Sequence, residues 1–307
     1  MATNLQTHIA SKALPSLQYW NRTISRGDAL KDIGGVPCQS PADLANKCDV
    51  IFISVSDDEA LKSLINTLST SSMANKIIVD TTTVHPSTTA FVAKHVTSLS
   101  AAYIAAPVFG ATPVARAAQL VIALAGPPDA MATITPFVQG VLGRAVVPVG
   151  EQPAQALLLK TTSNFITAGL MLLLSEAHTL ASMAGLPADT LHALVGQHFG
   201  AYAHGVSERL VAGAYCPAVG EAPRSGLELG IKDVGHGVDL ARDKGMRLTL
   251  GDMYLEAAGE AKKWGDERGR KMDSSFVYGV VRTRAGEEFE TDLVKQRDST
   301  TDKKGAL

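Results

Sequence analysis

The chain has 307 residues, 46% of them hydrophobic, with 28 basic residues against 30 acidic ones and a formal net charge of −2. That length supports two domains with cores of their own, and that charge gives no electrostatic case for nucleic acid or an anionic membrane surface as a partner. Cys38, Cys48 and Cys216 are scattered and include no CxxC, so they read as buried thiols of a reducing, cytoplasmic setting rather than as a disulfide framework or a zinc site. His192, His198 and His204 recur at a spacing of six, which does not stack on one helix face, and no metal site is expected.

In chain order, short β-rich runs are expected over residues 16–20, 50–55, 77–80, 102–108, 120–125 and 145–149. Helical stretches separate them at 40–47, 59–68 and 87–94. Apolar strands alternating with helices predict a parallel sheet covered on both faces. Pro148 cannot donate to a ladder, so the last of these strands should lie at an edge. From residue 154 the pattern is helical: one long helix over 154–184, then helices near 188–198, 206–212, 226–244 and 252–264, with Gly or Pro between them. The sequence thus divides into an α/β nucleotide-binding-type domain, 1–150, an all-helical domain, 151–290, and a polar tail, 291–307, read as disordered. The most apolar run, 165–174, is too short to span a bilayer, so no membrane partner is expected. Asn21-Arg22-Thr23 matches a glycosylation sequon without a secretory signal. The first acidic residue is Asp28, and that acid-free start keeps a mitochondrial presequence open on composition.

Lys160 and Asn164 are the candidate chemical pair, against the plainer reading of a surface lysine on an amphipathic helix. Residues four apart on a helix share a face, so an ammonium and an amide point together. A lysine in an apolar wall loses solvation, which disfavours its charged form and suits it to proton transfer. The amide beside it can donate to or accept from the same oxygenated ligand.

With these pieces in order, the chain resembles the β-hydroxyacid dehydrogenases, the family of 3-hydroxyisobutyrate dehydrogenases and glyoxylate/succinic semialdehyde reductases. The matching segments are Trp20-Asn21-Arg22-Thr23, CDVIFISVSDD from Cys48, VDTTTVHP from Val79, APVFGA from Ala106, Gln119-Leu120, Lys160-x-x-x-Asn164 and Lys232-Asp233. The resemblance implies a Rossmann-type α/β domain of the 6-phosphogluconate dehydrogenase kind followed by an all-α domain. Such chains open with a strand and a GxGxxG turn, then a helix beginning Met-Ala-x-Asn-Leu. Here Met1-Ala2-Thr3-Asn4-Leu5 resembles that helix directly, which displaces the presequence reading. The first strand and glycine loop are not in the sequence, as in a truncated isoform or a variant that no longer holds a dinucleotide normally. A central strand's absence would leave unpaired backbone groups on its two neighbours.

The resemblance implies a nicotinamide cofactor. NAD-type sites end the second strand with Asp or Glu. Here Asn21, Arg22 and Thr23 stand at that end and favour NADP over NAD, because a guanidinium fork accepts a 2′-phosphate. Val55 and Ser56 are expected along the adenosine and pyrophosphate, Thr83 near the nicotinamide ribose, and Lys232 at the nicotinamide and substrate carboxylate with Asp233 orienting it. The substrate loop departs from the family pattern. Ala105 replaces Asp, Phe109 replaces Ser and Ala111 replaces Gly, so Phe109, Gly110 and Ala111 offer an aromatic face and backbone N–H groups to a bulkier or less polar carbonyl compound. Lys160 would be the general acid and base of hydride transfer to or from a small-molecule carbonyl or hydroxyacid substrate, with Asn164 on the same oxygen. An imine reductase-like enzyme and a non-catalytic scaffold are the competing readings. The family also implies a homo-oligomer.

Overall fold

The computed structural model describes residues 1–305, with side chains through residue 300. The chain forms two compact units, the first Met1–Lys160 and the second from Thr161. In the first, the elements are α1 (Ala2–Ser11), β1 (Gln18–Tyr19), α2 (Asp28–Lys31), β2 (Val36–Pro37), α3 (Pro41–Lys47), β3 (Val50–Ile53), α4 (Asp58–Leu68), β4 (Ile77–Asp80), α5 (Pro86–Ser98), β5 (Ala102–Ala105), β6 (Val108–Phe109), α6 (Thr112–Arg116), β7 (Leu120–Ala125), α7 (Pro128–Val138) and β8 (Gly143–Gly150). Helix starts follow side-chain chemistry. Ser40 Oγ accepts from Asp43 N at 3.0 Å and Asp57 Oδ1 from Ala60 N at 2.8 Å, each satisfying an otherwise orphaned donor.

β3, β4 and β5 pair in parallel, residue for residue. The sheet then departs from the all-parallel expectation: β7 runs antiparallel to β5 and β6. The segment between β6 and β7 holds only the five-residue α6, too little chain for the crossover a parallel return needs. The expected run 102–108 is accordingly two strands, with Pro107 breaking the ladder. β8 pairs β7 in parallel, Pro148 standing opposite Leu124. It has β7 as its one partner among the described residues, so the proline sits on an edge strand.

β1 and β2 form a separate two-stranded parallel sheet. Val36 N donates to Leu17 O at 2.9 Å and Cys38 N to Tyr19 O at 2.7 Å, so alternate residues of β1 spend their backbone on β2. β3 does the same towards β4, with Ile77 N on Asp49 O and Thr81 N on Ile53 O. Gln18 on one strand, and Val50 and Phe52 on the other, therefore turn their backbone groups to edges that no strand among the described residues covers. Apolar residues on one sheet face (Val79, Ile104, Ile122) pack with α1 and α7 through Leu5, Ile9 and Ile134. The other face packs Ile51, Ile78 and Tyr103 against Leu61, Ile65 and Val92. That second cluster also takes Ala156 and Leu157, both 0% exposed. This is why the unit ends at Lys160 rather than at the expected residue 150.

The second unit comprises α8 (Pro153–Met183), which continues into it from the first, then α9 (Ala188–Val211), α10 (Leu227–Asp243), α11 (Thr249–Asp266), α12 (Val277–Arg284) and α13 (Asp292–Gly305). Two helices were expected where α9 runs. The break between them is Gly200, whose φ of 82° and ψ of 175° interrupt the helix without a loop. Tyr215, Tyr254, Phe276 and Val277 fill the core. α13 corrects the expectation of a disordered tail over 291–307. Its composition is polar, yet Val294 is 0% exposed, and Arg297 donates to Cys216 O at 2.8 Å and Gly213 O at 3.3 Å. Asp298 also meets Arg270 at 2.8 Å. Tertiary anchors override a composition that favours disorder; residues 306–307 lie outside the described residues. α8 is 31 residues long and, with a mean hydropathy of 1.5 over its most apolar window, passes for a membrane span by length and composition. The apolar run expected at ten residues is thus part of a longer apolar helix, because its scattered Ser, Thr and Asn do not outweigh the leucines.

Candidate active site

Lys160 lies on α8 at 9% exposure, and its Nζ sits 4.9 Å from the centroid of the Phe109 ring at the end of β6. A cation over an aromatic face is attracted by the ring quadrupole. Gly110 follows Phe109 with φ of 137°, where a Cβ would also meet Val114 and Leu120 at 2.8 and 2.9 Å. Only glycine turns the loop there, and Ala111 then opens α6 with no side-chain cap.

In the second unit, Asn164 Nδ2 donates to Asp233 Oδ2 at 2.8 Å, joining α8 to α10. Lys232 Nζ approaches Asp233 Oδ1 at 2.8 Å as a charge contact rather than an aligned hydrogen bond. Asp233 thus holds both Asn164 and Lys232.

The other expected residues cluster at strand ends of the first unit. Asn21, Arg22 and Thr23 follow β1 and are exposed, and Thr23 N donates to Asn21 Oδ1 at 2.9 Å in an Asx turn. That turn leaves the Arg22 guanidinium to solvent. Arg26, in the 3₁₀ turn just after it, is also exposed and went unnoticed in the sequence, although a second Arg within four residues was the signal. Val55 and Ser56 follow β3, Thr83 follows β4, and Ser56 Oγ donates to Asp57 Oδ2 at 2.6 Å.

Asp80, quoted in the VDTTTVHP motif without a role, ends β4 at 1% exposure. It accepts from Tyr103 OH at 2.6 Å and from Thr82 N at 3.0 Å. Burial pushes its carboxyl up to about 6; the Thr82 and Tyr103 hydrogen bonds oppose that rise, and nearby Asp58 adds to it. An Asp closing an apolar strand was the available signal.

Residues 1–150 match the NAD binding domain of 6-phosphogluconate dehydrogenase. The NADH-dependent oxidoreductase ucdB of Aspergillus ustus is 25% identical over 246 residues, 79% of this chain and 81% of that protein. Glyoxylate/succinic semialdehyde reductase 1 of Arabidopsis thaliana is 28% identical over 263 residues, covering 81% and 90%. The crystal structure of 3-hydroxyisobutyrate dehydrogenase from Salmonella typhimurium shares the fold with a TM-score of 0.77 at 19% identity, over 91% of this chain and 95% of that one.

These matches support the β-hydroxyacid dehydrogenase family. As a family member it is an NAD(P)-dependent oxidoreductase with a Rossmann-like domain and a helical domain. The strand-end positions of Val55, Ser56 and Thr83 are at the carboxyl edge of the sheet, where open α/β sheets bind ligands.

Proposed function

We propose that this family member interconverts a small hydroxyacid or alcohol and its carbonyl compound with NADP, Lys160 acting as general acid and base. The observation that carries this is Lys160 itself: a lysine at 9% exposure, held against an aromatic ring, with an amide one helical turn away. The residues fit the adenosine end of the cofactor. The exposed Arg22, with Asn21 and Thr23 beside it, would take the 2′-phosphate, and Val55, Ser56 and Thr83 would line the sheet edge.

When bound, the nicotinamide supplies or accepts the hydride. In reduction, Lys160 Nζ gives its proton to the carbonyl oxygen; in oxidation it takes the hydroxyl proton back. Asn164 orients that same oxygen, and Asp233 fixes the Asn164 amide. Phe109 replaces a hydroxyl donor with an apolar face, which favours a bulkier or less polar substrate than succinic semialdehyde or glyoxylate, the compounds named for the Arabidopsis relative. The test is an NADPH and NADH titration followed by reduction assays over those two aldehydes and larger apolar ones. Lys160→Ala should cut kcat/KM by roughly 10²–10⁴ while leaving cofactor affinity in place.

A second reading, a non-catalytic scaffold, draws on the separation of β1–β2 from the main sheet. Binding of neither cofactor would favour it. The Aspergillus relative's NADH dependence marks the other competing outcome, tighter binding of NADH than of NADPH.

A further inference from the structure

The turns after β3 and β4 are laced together. Thr81 N and Thr81 Oγ1 both donate to Ile53 O, at 2.9 and 2.8 Å. Val55 N donates to Thr82 Oγ1 at 3.2 Å, and His85 N to Asp58 Oδ1 at 2.9 Å. Thr82, 2% exposed, is therefore an acceptor for one turn through its side chain and a donor to Asp80 through its backbone. Asp80 is in turn fixed by Tyr103 OH on β5, and its own carbonyl accepts from Ala106 N at 2.7 Å at the start of the substrate loop.

We propose that Asp80 and Thr82 form a positioning relay that sets the Val55–Ser56 turn for the dinucleotide. The proposal rests on the assignment of that turn to the cofactor. The two bonds to Asp80 are buried, at 2.6 and 3.0 Å, and the bond from Val55 N to Thr82 Oγ1, at 3.2 Å, is half-buried; an unsatisfied partner in such a setting is costly. The carboxylate at the relay's base is expensive to bury, as its raised pKa shows. What the relay takes from residue 80 is the acceptor for Thr82 N, which an amide oxygen would also supply.

The experiment compares Thr82→Val, Asp80→Ala and Asp80→Asn with the parent chain by amide exchange over residues 54–57, NADPH titration and melting. Thr82→Val keeps the shape and removes the acceptor for Val55 N. It should melt about 2–6 °C below the parent, while Val55 exchanges faster and NADPH binds about tenfold more weakly. Asp80→Ala should weaken binding similarly, and adding Thr82→Val to it should cost little more, because the two act in one chain. Asp80→Asn keeps Oδ1 for Thr82 N and should hold NADPH within about threefold and melt no lower at pH 7.5. Parent-like binding and parent-like Val55 exchange in Thr82→Val would overturn the relay. If the parent chain binds no NADPH, the functional reading fails by itself; unchanged Val55 exchange in Thr82→Val would then overturn the relay as well, and faster exchange would support it.

Discussion

The Lys160 ammonium stands over the Phe109 ring, 4.9 Å from its centroid, so the residue that departs from the family's substrate loop touches the residue proposed for proton transfer. On the proposed reading, substrate choice and catalysis would be coupled at that contact. Phe109→Ser should restore a hydroxyl donor and remove an attraction worth about 0.5–2 kcal/mol. Relative kcat/KM should shift about tenfold or more towards glyoxylate and succinic semialdehyde and away from apolar aldehydes. A ratio unchanged between the two classes would remove Phe109 from the specificity argument.

Arg22 sets the cofactor preference in the same scheme. Arg22→Ala should weaken NADPH binding by about tenfold, the scale of one charge-assisted hydrogen bond to a phosphate, and leave NADH binding nearly unchanged. Equal losses for both cofactors would mean that Arg22 does not meet a 2′-phosphate.

Acid should act on the two units in opposite directions. Asp80 has a folded pKa of about 6, above its unfolded value near 3.9. Its ionised form therefore costs on the order of 3 kcal/mol at neutral pH, and that cost is relieved as pH falls through 6. His178 is the reverse case. Burial and neighbouring His192 lower its pKa, and its Nε2 meets Ser207 Oγ at 2.7 Å. His192 Nδ1 meets the same hydroxyl at 3.0 Å, and its ring stacks on His204 at 4.0 Å. The unfolded chain takes up this proton first, so the stability is present above the ordinary histidine value near 6.5 and lost as pH drops below it. Amide exchange at pH 7.5 and 5.5 should show slower opening around β4 and faster opening around α9.

α13 should be indispensable to the helical unit. Arg270, its side chain 8% exposed, meets Glu290 at 2.7 Å and Asp298 at 2.8 Å, and donates to Pro217 O at 2.6 Å. Arg270→Met leaves Glu290 without its cation and Asp298 with Arg297 alone, and should cost about 1.5–3 kcal/mol, read as a drop in denaturant midpoint. A midpoint shift worth under about 1 kcal/mol would show the network to be solvated in practice.

On α8, Ile166, Leu173 and Leu180 recur every seven residues at 61–69% exposure. In the proposed homo-oligomer this stripe would be buried against a second copy of the chain. Leu173→Glu should move the protein to a smaller species in sedimentation without lowering its helix content. An unchanged sedimentation coefficient would put the oligomer contact elsewhere.

Periodicity and turn chemistry made most elements legible: β4 and β7 stand at the expected residues, and α8 lies within one residue of its expected bounds at each end. The β7 reversal was not legible, because its direction depends on the length of the connection rather than on any residue in the strand. α13 was missed because its stability comes from Arg270 and Cys216, far away in sequence. At the site, Lys160 and Asn164 were visible as an i,i+4 pair. The Asn164–Asp233 bond spans 69 residues and needs the fold. Asp80 was in a quoted motif, but only its burial beside Tyr103 reveals what it holds.

The boundary between the two units falls inside a continuous helix, between Lys160 and Thr161. A single added residue between positions 160 and 164 would turn the following side chains by about 100° around the axis of α8. The pair is therefore indexed by helical pitch, so that substitutions are tolerated along this stretch far more readily than a change in its count.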